Sequence, residues 1–77
     1  MSTLLTRDGR IPKNKWVVMG YSGGRITSRH QFKSAAMDRA LTVARRTGQK
    51  QVVCEIGVDA RGVPALWMSW STERESF

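Results

Sequence analysis

The sequence predicts an α+β fold in which a single ββαββ layer forms a four-stranded antiparallel sheet with one helix on one face. Three observations support this prediction: one stretch with helical periodicity, strand-like runs on both sides of it, and glycine-containing turns between the runs. We assign residues 16–71 to this domain. Residues 1–15 are expected to form a flexible basic arm, and residues 72–77 a C-terminal tail.

The helix is predicted between Ser34 and Gly48, where apolar residues recur at three- and four-residue steps. These residues are Ala36, Met37, Ala40, Leu41 and Ala44. Ser34 is expected to cap the first turn, and Gly48 to end the helix in the left-handed conformation. Because they share one stripe, we expect Met37, Leu41 and Ala44 to pack on the sheet.

Four runs of residues are typical of strands. The first, 16–21, is apolar on both faces and favours an interior position, whereas 25–32 alternates between apolar and polar residues and favours an edge. Residues 51–58 and 63–71 supply the third and fourth strands. We favour the sheet order 2-1-3-4, because it makes every neighbouring pair antiparallel and lets the helix cross over strand one.

Side-chain alternation predicts that strand two turns its apolar side, Ile26 and Phe32, toward the helix. The other side of this strand then faces away and is polar: Arg25, Thr27, Arg29 and Gln31. Strand one leaves two alternatives open because both of its sides are apolar. The residues that join the outer face of the sheet are either Trp16 and Val18, or Val17, Met19 and Tyr21.

In strand three the predicted buried side is Val52, Cys54, Ile56 and Val58, and the far side holds Val53 and Glu55. In strand four the predicted core set is Leu66, Met68 and Trp70. Trp67 is therefore expected to be at least partly exposed on the outer face. Such a face is half apolar, and it invites a partner such as a second copy of the chain.

Composition indicates one small, strongly basic domain. The 77 residues include 13 Lys and Arg against six acids, a net charge of +7, which indicates attraction to polyanions or to an acidic protein. A single cysteine excludes an internal disulfide and favours a reducing, cytoplasmic setting. No apolar run approaches the ~20 residues of a membrane span, so we expect no membrane partner.

No combination of residues predicts catalysis. Residues 20–24 match the Gly-x-Ser-x-Gly pattern, but a strand follows them where a nucleophile elbow needs a helix. His30 is the one histidine and has no companion at metal-ligand spacing, while Cys54 is expected in the core. The six acids are scattered. We therefore expect a non-enzymatic protein without a metal or cofactor.

The predicted binding residues are cations and tryptophans. Arg39 and Arg46 lie two helical turns apart on one line, with Arg45 beside them and Lys50 beyond the helix end. A solvated basic face explains this row as readily as phosphate contact does. The outer sheet face is expected to bring Trp67 beside Arg25 and Arg29 as a base-stacking platform, unless Trp67 lies in a dimer seam or in the core. The full predicted set is Arg25, Arg29, Arg39, Arg45, Arg46, Lys50, Trp67 and Trp16.

The run from Trp16 to Gly62 resembles a family of small bacterial ββαβ domains of unknown function. The residues that carry the resemblance are Trp16, Val18, Gly23, Gly24, Arg25, Phe32, Ser34, Ala36, Ala40, Ala44, Val52, Val53, Asp59 and Gly62. The resemblance implies the fold and no activity. In size and layout the chain is also similar to the small proteins that phages make to disarm host machinery, including anti-CRISPR inhibitors.

Two functions follow as expectations. The first is nucleic-acid binding through the arginines and an aromatic sheet face. The alternative is an inhibitor or regulator of phage type that docks on a host protein, such as a nucleic-acid-handling or CRISPR defence complex. The expected location is the cytoplasm, which would be that of the host if a phage encodes the chain.

Overall fold

The computed structural model describes residues 4–21 and 25–72. Their elements follow the order ββαββ: β1 is Trp16–Gly20, β2 is Ile26–His30, α1 is Lys33–Thr47, β3 is Gln51–Val58 and β4 is Pro64–Ser71. The four strands form one sheet in the order β2-β1-β3-β4, and every neighbouring pair is antiparallel. The predicted α+β fold and strand order are confirmed.

Helix α1 begins differently from the prediction and ends as predicted. Phe32 is the N-cap residue, with extended backbone angles (φ −120°, ψ 143°) and no side-chain capping bond. Ser34 lies inside the first turn, so its predicted capping role is wrong. At the other end, Gly48 takes φ 74° and its N–H donates to the Ala44 carbonyl at 2.8 Å. Glycine favours this left-handed conformation at the helix end because it has no Cβ to clash with the backbone.

One hydrophobic cluster lies between α1 and the two central strands. Its centre consists of Ala36 and Ala40 on the helix and of Val18 and Val53 on the sheet, all fully buried. Around it pack three partly buried side chains: Trp16, Met37 and Trp70. The helix thus contacts the sheet along its alanine row, whereas the expected stripe included Leu41, which is only half-buried.

Strand β1 turns Trp16 and Val18 toward the helix, which settles the open alternative. In register, Val18 lies between Ser28 of β2 and Val53 of β3, and directly paired residues share a face. The prediction that Val53 and Glu55 lie on the far side is therefore wrong. Val53 pairs with Val18 and Glu55 pairs with Trp16, so both lie on the helix side of the sheet. The far side of β3 carries Val52, Cys54 and Ile56, all buried.

A bulge in each edge strand explains the other wrong faces. In β2 the register shifts between Val18 and Met19, so Ile26 pairs with Met19 on the side away from the helix. Phe32 follows the end of this strand and is 63% exposed, so neither residue packs under the helix as expected. In β4 a shift between Val53 and Cys54 places both Trp67 and Trp70 on the helix side.

Met68 lies on the far side of the sheet, and its predicted core position is wrong because 66% of its surface is exposed. Trp67 is 57% exposed, as predicted, although by register it faces the helix side and not the outer face. The far side also lacks the open apolar surface expected at its centre, because Val17, Cys54 and Ile56 are buried there.

The segment before β1 contains a closed turn. Thr6 N–H donates to the Arg10 carbonyl and Gly9 N–H to the Thr6 carbonyl, both at 2.9 Å, which closes a small turn at Asp8–Gly9. The Ile56 N–H donates to the Lys15 carbonyl at 2.9 Å. The last residues before β1 therefore continue its pairing with β3.

We predict that Ala40→Leu lowers the free energy of unfolding by about 1–3 kcal/mol, because extra methylenes must enter a closely packed layer against Val18 and Val53. Ala35→Leu, an exposed site on the same helix, is the control and should stay within about 0.5 kcal/mol of the native protein. Urea denaturation of the three proteins measures both effects. Equal stability of the two variants would contradict the observed helix face.

Candidate nucleic-acid interface

The C-terminal end of α1 lies over the end of the sheet where β1 stops and β2 and β3 start. This arrangement follows from the register, in which Gly20 pairs with Gln51 and Met19 with Ile26. Three adjoining depressions open there, with volumes of about 350, 320 and 460 Å³. Together we call them the basic groove. Its lining residues are Gly20, Tyr21, Arg25, Thr27, Val43, Ala44, Arg45, Thr47, Gly48, Gln49, Lys50 and Gln51.

The basic groove carries positive charge from three separate parts of the chain. Arg45 comes from the last turn of α1, Lys50 from the connection to β3, and Arg25 from the residue before β2. All three are exposed, and the lining residues within 4–21 and 25–72 include no acid. The cations also compensate the carbonyl end of the helix dipole. Their spread across one groove makes it attractive to an extended anion.

An aromatic ring lies among these cations. Tyr21 is 48% exposed, and Lys50 Nζ lies 5.9 Å from the centroid of its ring. The backbone fixes this arrangement, because the Tyr21 N–H donates to the Lys50 carbonyl at 3.0 Å. An exposed ring beside an ammonium group can stack on a nucleobase while the cation meets the phosphate.

The other predicted arginines on the helix remain on its solvent side. Arg39 and Arg46 are exposed, and Asp38 is the one acid of α1. Arg46 follows Arg45 in the last turn but is not among the lining residues of the basic groove, and Arg39 is about two turns, or ~10 Å, nearer the start of the helix. Both are consistent with a row of phosphate contacts leading away from the groove.

Trp16 and Trp67 lie at the opposite end of β1. The Trp16 ring centroid lies 5.7 Å from Lys15 Nζ and 5.8 Å from Lys33 Nζ. Lys15 also bonds Glu55 at 2.8 Å. This set, Lys15, Trp16, Lys33, Glu55 and Trp67, is the tryptophan end of the molecule, and the length of β1 separates it from the basic groove.

The predicted stacking platform of Trp67 beside Arg25 and Arg29 does not form. Trp67 belongs to β4 and the two arginines belong to the β2 side, so β1 and β3 lie between them. Three strand spacings amount to about 14 Å. Arg29 also pairs with Val17 and so faces away from the helix, whereas Trp67 shares the side of Glu55. The antiparallel order and the bulge in β4 together separate the two groups.

His30 and Cys54, whose side chains could react, lie in environments that are explained by hydrogen bonding and burial. His30 is half-buried, and its Nε2 lies 2.8 Å from Ser28 Oγ. Burial raises the pKa of the Cys54 thiol above its ordinary value, which opposes formation of a reactive thiolate. Residues 22–24 of the Gly-x-Ser-x-Gly match lie outside the described residues. Across residues 4–21 and 25–72, no three His, Cys, Asp or Glu side chains are placed to hold a metal ion.

Of the residues that line the basic groove, sequence reasoning predicted a binding role for Arg25, Arg45 and Lys50 but not for the polar residues Tyr21, Gln49 and Gln51. Tyr21 was expected to belong to strand one, and the glutamines carry no pattern of their own. What brings them together is the turn of the chain from α1 into β3 beside the end of β1. The sequence does show an aromatic residue, Tyr21, four residues before a cation, Arg25. That spacing indicates a shared site only when the pairing of β1 with β2 is known.

We found no protein-family model, no curated protein and no solved structure that matches this chain. No helix in the described part of the chain is long and apolar enough to cross a membrane.

At the tryptophan end, we predict that Gly57→Ala displaces the Trp67 indole. A Cβ at this position would lie 2.7 Å from Trp67 Nε1, which is closer than such contacts allow. We expect a loss of about 1 kcal/mol in the native background. In a Trp67→Ala background the same change should be neutral or stabilise by up to about 1 kcal/mol, because alanine restricts the unfolded chain more than glycine does. Denaturant melts of the four proteins complete this cycle. An equal effect in both backgrounds would show that the indole does not rest on Gly57.

Proposed function

We propose that this protein is a small, non-enzymatic module that binds single-stranded nucleic acid through the basic groove. The observation that carries the proposal is the convergence of Arg25, Arg45 and Lys50, from three separate parts of the chain, on adjoining depressions. The net charge of +7 supports it, because a surplus of this size on a domain of 77 residues attracts polyanions.

The shape of the groove favours a single strand over a duplex. Tyr21 offers a ring face for an unstacked base, and the depressions are of the size that small ligands occupy, about 300–1,000 Å³. The cations that would meet the backbone are Arg25, Arg45 and Lys50 of the groove and Arg46, the next residue after Arg45 in the last turn of α1. Arg39 extends this row along the helix.

We expect the affinity for a labelled single-stranded oligonucleotide to fall with salt. If about four cations meet phosphates, the plot of log affinity against log salt should have a slope near −2.8. Arg45→Gln and Lys50→Gln should each weaken binding and make this slope shallower by about 0.7. Fluorescence anisotropy between low and moderate salt measures both quantities.

Arg61→Gln is the matched control for these variants. Arg61 is exposed and has the same charge, but it lies in the loop between β3 and β4, away from the groove. Its removal should change the slope much less than either groove variant. Equal effects of all three variants would mean that net charge alone attracts the strand, and absence of binding at low salt would end the proposal.

A second candidate function is docking on another protein through the tryptophan end, as an inhibitor or regulator of phage type would. The observation that favours it is β4, an edge strand without a charged residue that exposes Trp67 and Met68. Edge strands usually carry charges that prevent pairing with other chains, and exposed tryptophans commonly anchor interfaces.

Trp67→Ala separates the two candidates. Under the docking function, capture of a partner from nuclease-treated bacterial lysate should be abolished, while oligonucleotide affinity stays unchanged. Lys33→Gln, which changes the charge of the tryptophan end without removing Trp67, is the control and should retain capture. Capture that disappears on nuclease treatment, or that survives Trp67→Ala, would contradict docking at this end.

A further inference from the structure

One of the residues that line the basic groove has a buried hydrogen-bond acceptor for which the described residues supply no donor. Gln51 is the first residue of β3, on the helix side of the sheet, and only 4% of its surface is exposed. Its Oε1 has no hydrogen-bond partner among the described residues. Buried polar atoms are nearly always paired, and each exception calls for an explanation.

The orientation of this side chain is fixed by its neighbours. Gln51 Nε2 donates to the Gln49 carbonyl at 3.3 Å, so exchanging the amide N and O would set two acceptors against each other. The Gln51 backbone is held as well, since its N–H donates to Thr72 Oγ1 at 2.9 Å and its carbonyl accepts from the same hydroxyl at 3.2 Å. Oε1 is therefore held in place as an acceptor.

The other walls of this depression of about 460 Å³ define what it can hold. Val43 supplies an apolar surface, and Arg25 supplies a cation at the exposed side. The Thr47 hydroxyl offers no donor, because it donates to the Val43 carbonyl at 2.8 Å, and it also accepts from the Gln49 N–H at 3.2 Å. A fitting ligand has an N–H donor, an apolar surface that can contact Val43, and an anionic group.

We propose that this depression receives the base of a nucleotide, with a base N–H donating to Gln51 Oε1 and a phosphate at Arg25. This inference rests on the proposed function and adds to it the site where a base enters. Oε1 has less than 1 Å² of exposed surface, so contact requires a small displacement of side chains at the wall. Because only a base supplies the N–H that pairs with this buried acceptor, the site should raise the affinity for a strand that carries bases above that for a backbone without them.

The test compares three probes: a 12-nucleotide deoxycytidine strand, an abasic strand of the same length, and deoxycytidine monophosphate as competitor. Gln51→Met keeps the size of the side chain and removes the acceptor. It should lower affinity for the deoxycytidine strand about three- to tenfold and leave affinity for the abasic strand unchanged. If the monophosphate competes with the deoxycytidine strand, the free nucleotide is also a ligand of this site. If it does not compete, the site binds a base only as part of a strand.

Val43→Phe is the second variant, because it reduces the volume of the depression while the Gln51 side chain is retained, and it keeps the proposal testable if Gln51→Met fails to fold. It should produce the same selective loss for the deoxycytidine strand. Unchanged affinity of both variants for both strands would overturn the base site while leaving groove binding intact. Failure of the native protein to bind either strand at low salt would instead overturn the proposed function itself.

Discussion

The close approach of α1 to the sheet is the contact on which the rest of the structure depends. Ala36 and Ala40 bring the helix backbone near Val18 and Val53, because no large side chain stands between them. A domain of 77 residues has little apolar surface to bury, so each such contact matters for its stability. This contact sets the height and direction of the helix, and with them the position of its C-terminal end over Gly20 and Gln51.

The architecture could be predicted because its signals are local. Helical periodicity, strand alternation and the Gly48 stop each follow from a few neighbouring residues, and the sheet order followed from antiparallel pairing. The faces of the strands were harder, because one inserted residue exchanges inside for outside. Bulges displaced Ile26 in β2 and Met68 in β4, and neither bulge has a glycine or proline at the shift to indicate it.

The helix stripe shows a related limit. Size favoured Leu41 as the contact with the sheet, yet the smaller row of Ala36, Ala40 and Ala44 is the buried one. The sheet already supplies bulk in Trp16 and Trp70, and close packing then favours small partners on the helix. Such complementarity between two elements cannot be read from either alone.

The candidate site was predictable in its charges and not in its geometry. Arg25, Arg45 and Lys50 were expected to bind, but the expected partner was a tryptophan that the strand order places at the other edge. Tyr21 and Gln51 acquire their meaning from the register of β1 with β3, a relation between residues 30 positions apart. The composition therefore predicted that the candidate site would be positively charged, but which residues form it depends on the strand order and register.

The uncharged edge of β4 has a consequence for how the molecules behave toward one another. Copies that each carry +7 repel, and this repulsion keeps the edge strands of neighbouring molecules apart. Added salt shortens the reach of the repulsion from about 10 Å at 0.1 M to about 3 Å at 1 M. Added salt therefore lets the uncharged β4 edges of neighbouring molecules approach each other, so the colloidal stability of this protein depends on its net positive charge.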